Sequence, residues 1–277
     1  VRVDWIFESR EVAVSRWACT SHDRQWSDEK AQLYHVFAFV HHGAFGMRDA
    51  GGSQIVDPSV VLAYSPGVPY STAHPFGCGD HGSAIAVRAD ALREIAPRLA
   101  AQRTSWARGI DATTLLHHRL LVGRLTAGSA DRMMAEESAL ALVASVARQS
   151  EGGQPRRLRA ADARRRRERV EAVKAMLVER LSEPVRLGDV AAAVATSVFH
   201  LCRSFREETG MPVHRYLKRL RLCTALERAG HPGSDLLDVA LSVGFASHSH
   251  FTAAFRREFG LTPSAFRAAH RAAPRCP

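Results

Sequence analysis

The sequence predicts a multidomain α+β protein. A small N-terminal β-barrel with following helices precedes an all-α C-terminal domain, in which a long helix joins two helix-turn-helix units. Three observations predict this. Between Val12 and Val87, short aromatic and β-branched runs are broken by Gly and Pro, as in "YHVFAFVHHGAFGMRDAGG" and "DPSVVLAYSPGVPYSTAHPFGCGDHG". That punctuation suits strands and tight turns, because helices need longer uninterrupted runs. Beyond Arg169 the chain reads as nearly continuous helix and carries one pattern twice, "SVFHLCRSFREETG" from Ser197 and "SHSHFTAAFRREFG" from Ser247. The charge is also one-sided. The 277 residues carry a net +10, yet residues 1–150 hold 15 Lys and Arg against 15 Asp and Glu, so the whole excess lies beyond Ser150. Such asymmetry fits a polyanionic partner for the C-terminal part, double-stranded DNA before an anionic membrane.

Taken in order, the length suggests more than one domain. A content of 46% hydrophobic and 24% charged residues is that of ordinary globular cores and argues against disorder. Residues 1–110 are read as the barrel. After it, "RADALREIAPRLA" is helical with Pro97 interrupting, and "ATTLLHHRLLVGRL" and "DRMMAEESALALVASVARQ" are amphipathic helices split by "AGSA". They form a 111–150 segment that either pairs two copies of the chain or packs within its own domain. "SEGGQPRRLRAADARRRRER" marks residues 151–168 as a basic linker, and 169–271 form the C-terminal domain.

The repeated pattern sits in a repeated context. "LGDVAAAVATS" leads into the first copy and "LLDVALSVGFAS" into the second, with Asp189 matching Asp238 and Ala191 matching Ala240. Each unit is a short helix, a tight turn and a second helix that starts at Ser197 or Ser247, both suitable N-caps. Leu201 and Phe205, and Phe251, Phe255 and Phe259, recur every four residues and are read as core. The opposite face carries Val198, Phe199, Cys202, Arg203 and Arg206 in the first unit. In the second it carries His248, Ser249, Thr252 and Ala253, with Arg256 one turn on. Side chains early in such a helix reach base edges. Arg203 can donate two hydrogen bonds to a guanine, Phe199 and Val198 can touch thymine methyls, and Arg256 is read as a phosphate contact. The plain alternative for each is a solvated helix face. The connecting helix, from Pro212 to Ala229, spans about 26 Å, close to the spacing of successive major grooves, about 34 Å. Different side chains on the two copies would read different half-sites.

"FHLCRSFREETGMPVHRYLKRLRL" and "DVALSVGFASHSHFTAAFRREFGLTPSAFR" together resemble the DNA-binding domain of the AraC/XylS family of bacterial transcription regulators over about Arg169 to Arg271. Ala240, Gly244, Phe245, Ser247, His250, Phe251, Phe255, Gly260, Pro263 and Phe266 fall where that family has them. The resemblance implies base contact at Phe199, Arg203, His248, Ser249 and Thr252. Two departures stand out. Ala195 occupies a turn position where Gly is common, so the first turn is expected to be altered. Ala253 occupies a position that is often basic, so the second unit is expected to read bases weakly. The N-terminal half resembles the cupin-like sensor domains of the same family through "VVLAYSPGVPYSTAHPFGCGDHG". This implies a small-molecule effector, a homodimer and, for an activator, RNA polymerase as partner. The effector pocket is placed on strands holding Tyr34, Val36, Ala38, Tyr64 and Tyr70, with His74 as a polar contact.

The rival reading is a cupin-type metal-dependent enzyme or a metal sensor fused to a DNA-binding domain. Cys19, His22, His35, His41, His42, His74, Cys78 and His81 offer ligands, and Asp80 could complete an iron triad. No cupin-like HxHx…E pattern is present, so neither catalysis nor a cofactor is expected. Cys19, His22, His74 and Cys78 remain as candidates for a tetrahedral site, against ordinary strand and turn residues. Five cysteines without a CxxC pair fit a reducing cytoplasm better than a disulfide framework. No apolar run reaches the length of a membrane span.

Overall fold

The computed structural model describes residues 1–21, 23–76, 79–150 and 160–271. His22 and Cys78 therefore lie outside the described residues. Among the described residues the N-terminal part holds nine strands: β1 (Arg2–Glu8), β2 (Val12–Cys19), β3 (His35–His42), β4 (Phe45–Asp49), β5 (Gly52–Val56), β6 (Val60–Tyr64), β7 (Ser71–Ala73), β8 (Asp80–Val87) and β9 (Trp106–Gly109). They form an antiparallel sheet in the order β1-β2-β8-β3-β6-β9 and a smaller one in the order β5-β4-β7. The mixed architecture is the one the sequence predicts. The barrel takes the form of two sheets rather than one closed ring, because strand pairing among the described residues stops at β1 and β9 in one sheet and at β5 and β7 in the other. The chain crosses from one sheet to the other at Gly43, whose φ of +74° favours glycine.

Alternation along the strands builds two cores. Ala38 and Val40 face the small sheet, packing with Phe45, Met47, Val56, Leu62, Tyr64 and Tyr70. Phe37 and Phe39 point the other way, with Val12, Val14, Ile85 and Val87, against helices. Those helices are α1 (Ala89–Ile95), α2 (Pro97–Ala100), α3 (Ala112–Thr126) and α4 (Arg132–Ser150). Pro97 divides α1 from α2 as expected, and Asp111 caps α3 by accepting from the Thr114 N–H at 2.7 Å.

The C-terminal part holds α5 (Ala160–Glu179), α6 (Leu187–Ala193), α7 (Val198–Thr209), α8 (Val213–Gly230), α9 (Leu236–Ser242), α10 (His248–Phe259) and α11 (Pro263–Arg271). The supposed linker is thus partly helix: residues 160–168 open α5, where Arg164 pairs with Glu168 and Arg166 reaches Glu207 and Glu208. An arginine run with acidic partners one turn away, or on a neighbouring helix, is compatible with helix. Residues 151–159 lie outside the described residues.

The two helix-turn-helix units belong to different cores. Helices α5, α6, α7 and the first half of α8 close around Val173, Leu177, Leu201, Phe205, Tyr216 and Leu220. The second half of α8 and α9–α11 join the core that runs through α3 and α4 to the large sheet, with Phe245, Phe251, Phe255, Phe259 and Phe266 in it. Helix α3 is covered by its own chain: it packs on α4, α8, α10 and α11.

Candidate nucleic-acid interface

Local chemistry sets both recognition helices. The Ser197 hydroxyl accepts from the His200 N–H at 3.3 Å and that of Ser247 from the His250 N–H at 3.2 Å, so each serine caps its helix as expected. Gly210 and Gly260 end α7 and α10 in the left-handed conformation. Leu201, Phe205, Phe251 and Phe255 are fully buried.

The turns correct one expectation. In the second unit Gly244 has φ +81°; its N–H donates to Leu241 O at 3.0 Å and the next, of Phe245, to Ala240 O at 3.0 Å. In the first, Ala195 has φ +49°; its N–H donates to Ala192 O at 3.1 Å and that of Thr196 to Ala191 O at 3.0 Å. Both are the same helix-ending motif. The alanine does not remodel the turn; it adopts the conformation glycine would have taken, because the paired carbonyls leave the backbone no other path.

On the outward faces, Val198, Phe199, Arg203 and Arg206 are exposed and Cys202 half-buried. Phe199 is 71% exposed, an unusual setting for a large aromatic ring. Arg203 Nε lies 3.0 Å from Glu207 Oε1 one turn on, an exposed pair that is easily broken. In the second unit His248, Ser249, Thr252, Ala253 and Arg256 line one concave surface of about 690 Å³, together with Arg257 and Thr262. The sequence reasoning missed those last two; their place one residue beyond Arg256 and just before α11 was the available signal.

Behind these faces lies a buried ionic cluster between the sheet domain and α8. Arg119 of α3 donates to Val40 O at 2.9 Å and to Glu227 Oε2 at 3.3 Å. His41 Nδ1 lies 3.0 Å from Glu227 Oε2, and its Nε2 is 2.9 Å from Ser83 Oγ, which in turn is 2.9 Å from His118 Nε2. His81 stands 3.7 Å from the other Glu227 oxygen. Burial, helped by the Arg119 charge, drives His41 down to about 3. Burial also lowers His118 well below the usual imidazole range and brings Arg119 down to about 10. For Glu227, burial pushes upward, but hydrogen bonds from His41 and His81 and the Arg119 charge outweigh it and hold the carboxylate ionised. The arrangement is a charged Arg119–Glu227 pair flanked by the neutral His41 and His118. A cavity of about 360 Å³ opens onto it, bordered by His41, Arg119, Gly123, Glu227, His231 and Phe266. Elsewhere the Tyr216 hydroxyl donates to Asp57 Oδ2 at 2.5 Å, and Lys174 donates to Ile55 O at 2.9 Å.

The effector candidates separate. Ala38, Tyr64 and Tyr70 meet between the sheets with Val36 against them, and the two tyrosine rings are 4.4 Å apart. Tyr34 is 53% exposed just before β3, outside that cluster. His74 joins a different group, with Cys19 Sγ at 3.4 Å and Asp80 Oδ2 at 2.9 Å. His41, His42 and His81 gather instead near Glu227, and His35 is buried at the start of β3.

Residues 190–269 match the family described as "Helix-turn-helix domain". The C-terminal region is an AraC-family helix-turn-helix domain. Over 93 residues the chain is 38% identical to the "HTH-type transcriptional activator RhaS" of Escherichia fergusonii, covering 34% of each. Over 99 residues it is 34% identical to the activator RhaR of Klebsiella pneumoniae subsp. pneumoniae, covering 36% of this chain and 35% of that one. The chain thus spans about a third of the length of the activators it matches. Among solved structures, ToxT of Vibrio cholerae O395 aligns over 94% of this chain and 98% of its own at 12% identity and a TM-score of 0.39. An AraC-type regulator from Chromobacterium violaceum aligns over 42% and 99% at 29% identity and a TM-score of 0.35.

Proposed function

We propose that the protein is a sequence-specific transcription regulator that binds double-stranded DNA and is not an enzyme. The observation that carries this is the pair of serine-capped helices, α7 and α10, with the same buried face and different exposed faces. Val198, Phe199, Cys202, Arg203 and Arg206 read one half-site; His248, Ser249 and Thr252 read the other, and Arg256 contacts phosphate. Helix α8, about 27 Å long at 1.5 Å per residue, spaces the two for neighbouring major grooves. The basic balance of this half supplies the salt-dependent attraction to phosphates. The sheet domain is read as the sensor of a small molecule and as the module that pairs two copies. RNA polymerase is the further partner if the protein activates, as its relatives' names say of them.

Selection of bound duplexes from a random pool, followed by footprinting, tests the reading. Protection should cover two adjacent major grooves per protomer. Arg203→Ala should cost roughly 1–3 kcal/mol and relax preference at one base position. Arg256→Ala should weaken all sequences alike and reduce the salt slope by about one. Equal losses on selected and random DNA for Arg203→Ala would remove it from the base readers.

A further inference from the structure

We propose that Cys19, His74 and Asp80 hold a divalent metal ion of zinc's class at the end of the sheet domain. The inference stands apart from the DNA reading and uses none of its residues. Cys19 closes β2 and Asp80 opens β8, and the two are directly paired in the antiparallel register. His74 follows β7 and is pinned by its own N–H, which donates to Asp23 O at 2.9 Å. One ligand atom from each of the three side chains lies within 4.8 Å of the other two.

Hydrogen bonding satisfies this group only in part. The carboxyl of Asp80 is buried, at 3% exposure, and Oδ1 accepts from Trp17 Nε1–H at 2.8 Å. Its Oδ2 approaches His74 Nδ1 to 2.9 Å, but the two are not aligned as donor and acceptor. Both atoms are buried without a hydrogen-bond partner. A buried carboxylate oxygen whose close partner is a poorly aligned imidazole nitrogen is costly, and a cation shared with a thiolate and an imidazole relieves that cost. Zinc takes thiolate, imidazole and carboxylate at about 2.0–2.3 Å. A tetrahedral set at those lengths separates ligand atoms by roughly 3.3–3.8 Å; His74 places Nδ1 2.9 Å from Asp80 Oδ2 and Nε2 3.4 Å from Cys19 Sγ, so one of these two ring nitrogens would take the ion. Trp17 fixes the carboxylate's orientation, as the outer partners of metal ligands do. The backbone is held closely as well. A Cβ at Gly79 would stand 2.2 Å from Cys19 O, and one at Gly43 would stand 2.4 Å from Gly79 O, so both strand ends are locked where the ligands converge. Three protein ligands leave one tetrahedral position for water or an added ligand. The thiolate favours zinc over the oxygen-seeking magnesium and calcium.

Cobalt(II), added to the full-length protein after chelator treatment, is a visible stand-in for zinc. The expected result is one equivalent bound, with a thiolate-to-metal charge-transfer band that zinc displaces. Cys19→Ser should abolish the band, and Asp80→Asn and His74→Gln should each weaken binding by roughly 10–100-fold or more. The proposal is overturned if cobalt does not bind, or if the band survives Cys19→Ser unchanged. Because a variant may fail to fold, X-ray absorption of the zinc-loaded wild-type protein gives a second reading. One sulfur with nitrogen and oxygen neighbours supports the site, and a shell without sulfur overturns it.

Discussion

Replacing Ala195 by glycine should stabilise the first helix-turn-helix unit. Ala195 has φ +49°, and no other non-glycine residue among those described has a positive φ. A left-handed backbone costs an L-residue with a Cβ about 1–2 kcal/mol. Glycine removes that strain but returns about 0.4–1 kcal/mol through the greater freedom of its unfolded chain. Ala195 is exposed, so little packing is lost. The net gain is then about 0.5–1 kcal/mol, which slows opening-limited amide exchange in α6 and α7 by roughly 2–5-fold. Exchange at the buried Val190 and Leu201 amides, compared between the two proteins, is the assay. The mirror change, Gly244→Ala, should go further the other way. It incurs the same strain and sets a Cβ 2.8 Å from Ser182 O and 2.9 Å from the Arg221 guanidinium. That guanidinium donates to the carbonyls of Leu181, Glu183 and Gly244, so moving it loosens three contacts. Unchanged or faster exchange in Ala195→Gly would refute the idea that the first turn stores strain.

Acid should destabilise the fold before carboxylates titrate. His41 is held neutral, with a pKa driven down to about 3, while in the unfolded chain it titrates near its ordinary value of about 6.5. The unfolded state therefore binds the proton first, and the stabilising difference present above about pH 6.5 is lost progressively toward pH 3. At pH 5.5 the loss from His41 is about 1.4 kcal/mol, and His118 adds to it in the same direction. Urea midpoints against pH should be flatter in His41→Asn; an identical slope would remove His41 as the cause. Glu227→Gln leaves the Arg119 charge buried without its partner and should cost about 3–5 kcal/mol, whereas Arg119→Met combined with Glu227→Leu should recover most of it. Thermal unfolding of the three proteins checks this, and a Glu227→Gln loss below about 0.5 kcal/mol would show that the pair holds nothing together.

The C-terminal helices were legible because their signals are local. Ser197 and Ser247 before an apolar four-residue spacing, and Gly210 and Gly260 after it, specify a start, a buried face and a stop around a helix of 12 residues. Ala195 shows the limit of such reading. Its identity suggested a different turn, yet the carbonyls of Ala191 and Ala192 impose the glycine-like path. Arg164 to Arg167 read as linker because the helix depends on partners elsewhere, Glu207 and Glu208 among them. The strands were legible from their punctuation, but the split into two sheets depends on which edges find partners. Glu227 carried no signal, since Arg119 and His41 lie more than a hundred positions away. Of the four candidates for a tetrahedral site, Cys19 and His74 come together; Asp80, which the sequence offered only for an iron triad, stands beside them through strand register, which the sequence does not print.

Helix α8 contributes Val213, Tyr216 and Leu220 to one core and Leu222, Cys223, Ala225, Leu226 and Ala229 to the other. The boundary between the two cores therefore falls inside a helix, near Arg221. A displacement of the large sheet reaches α10 directly, as a change in shared packing. It reaches α7 by contacts such as Tyr216 with Asp57, or as a turning of α8 about its own axis. Helices α7 and α10 are consequently wired to the sheet differently. Helix α10 shares a core with the large sheet, whereas the unit of α7 is tied to the sheet domain by polar contacts of Glu171, Lys174 and Tyr216 with Ile55 and Asp57, so a movement upstream would reach the two by different routes.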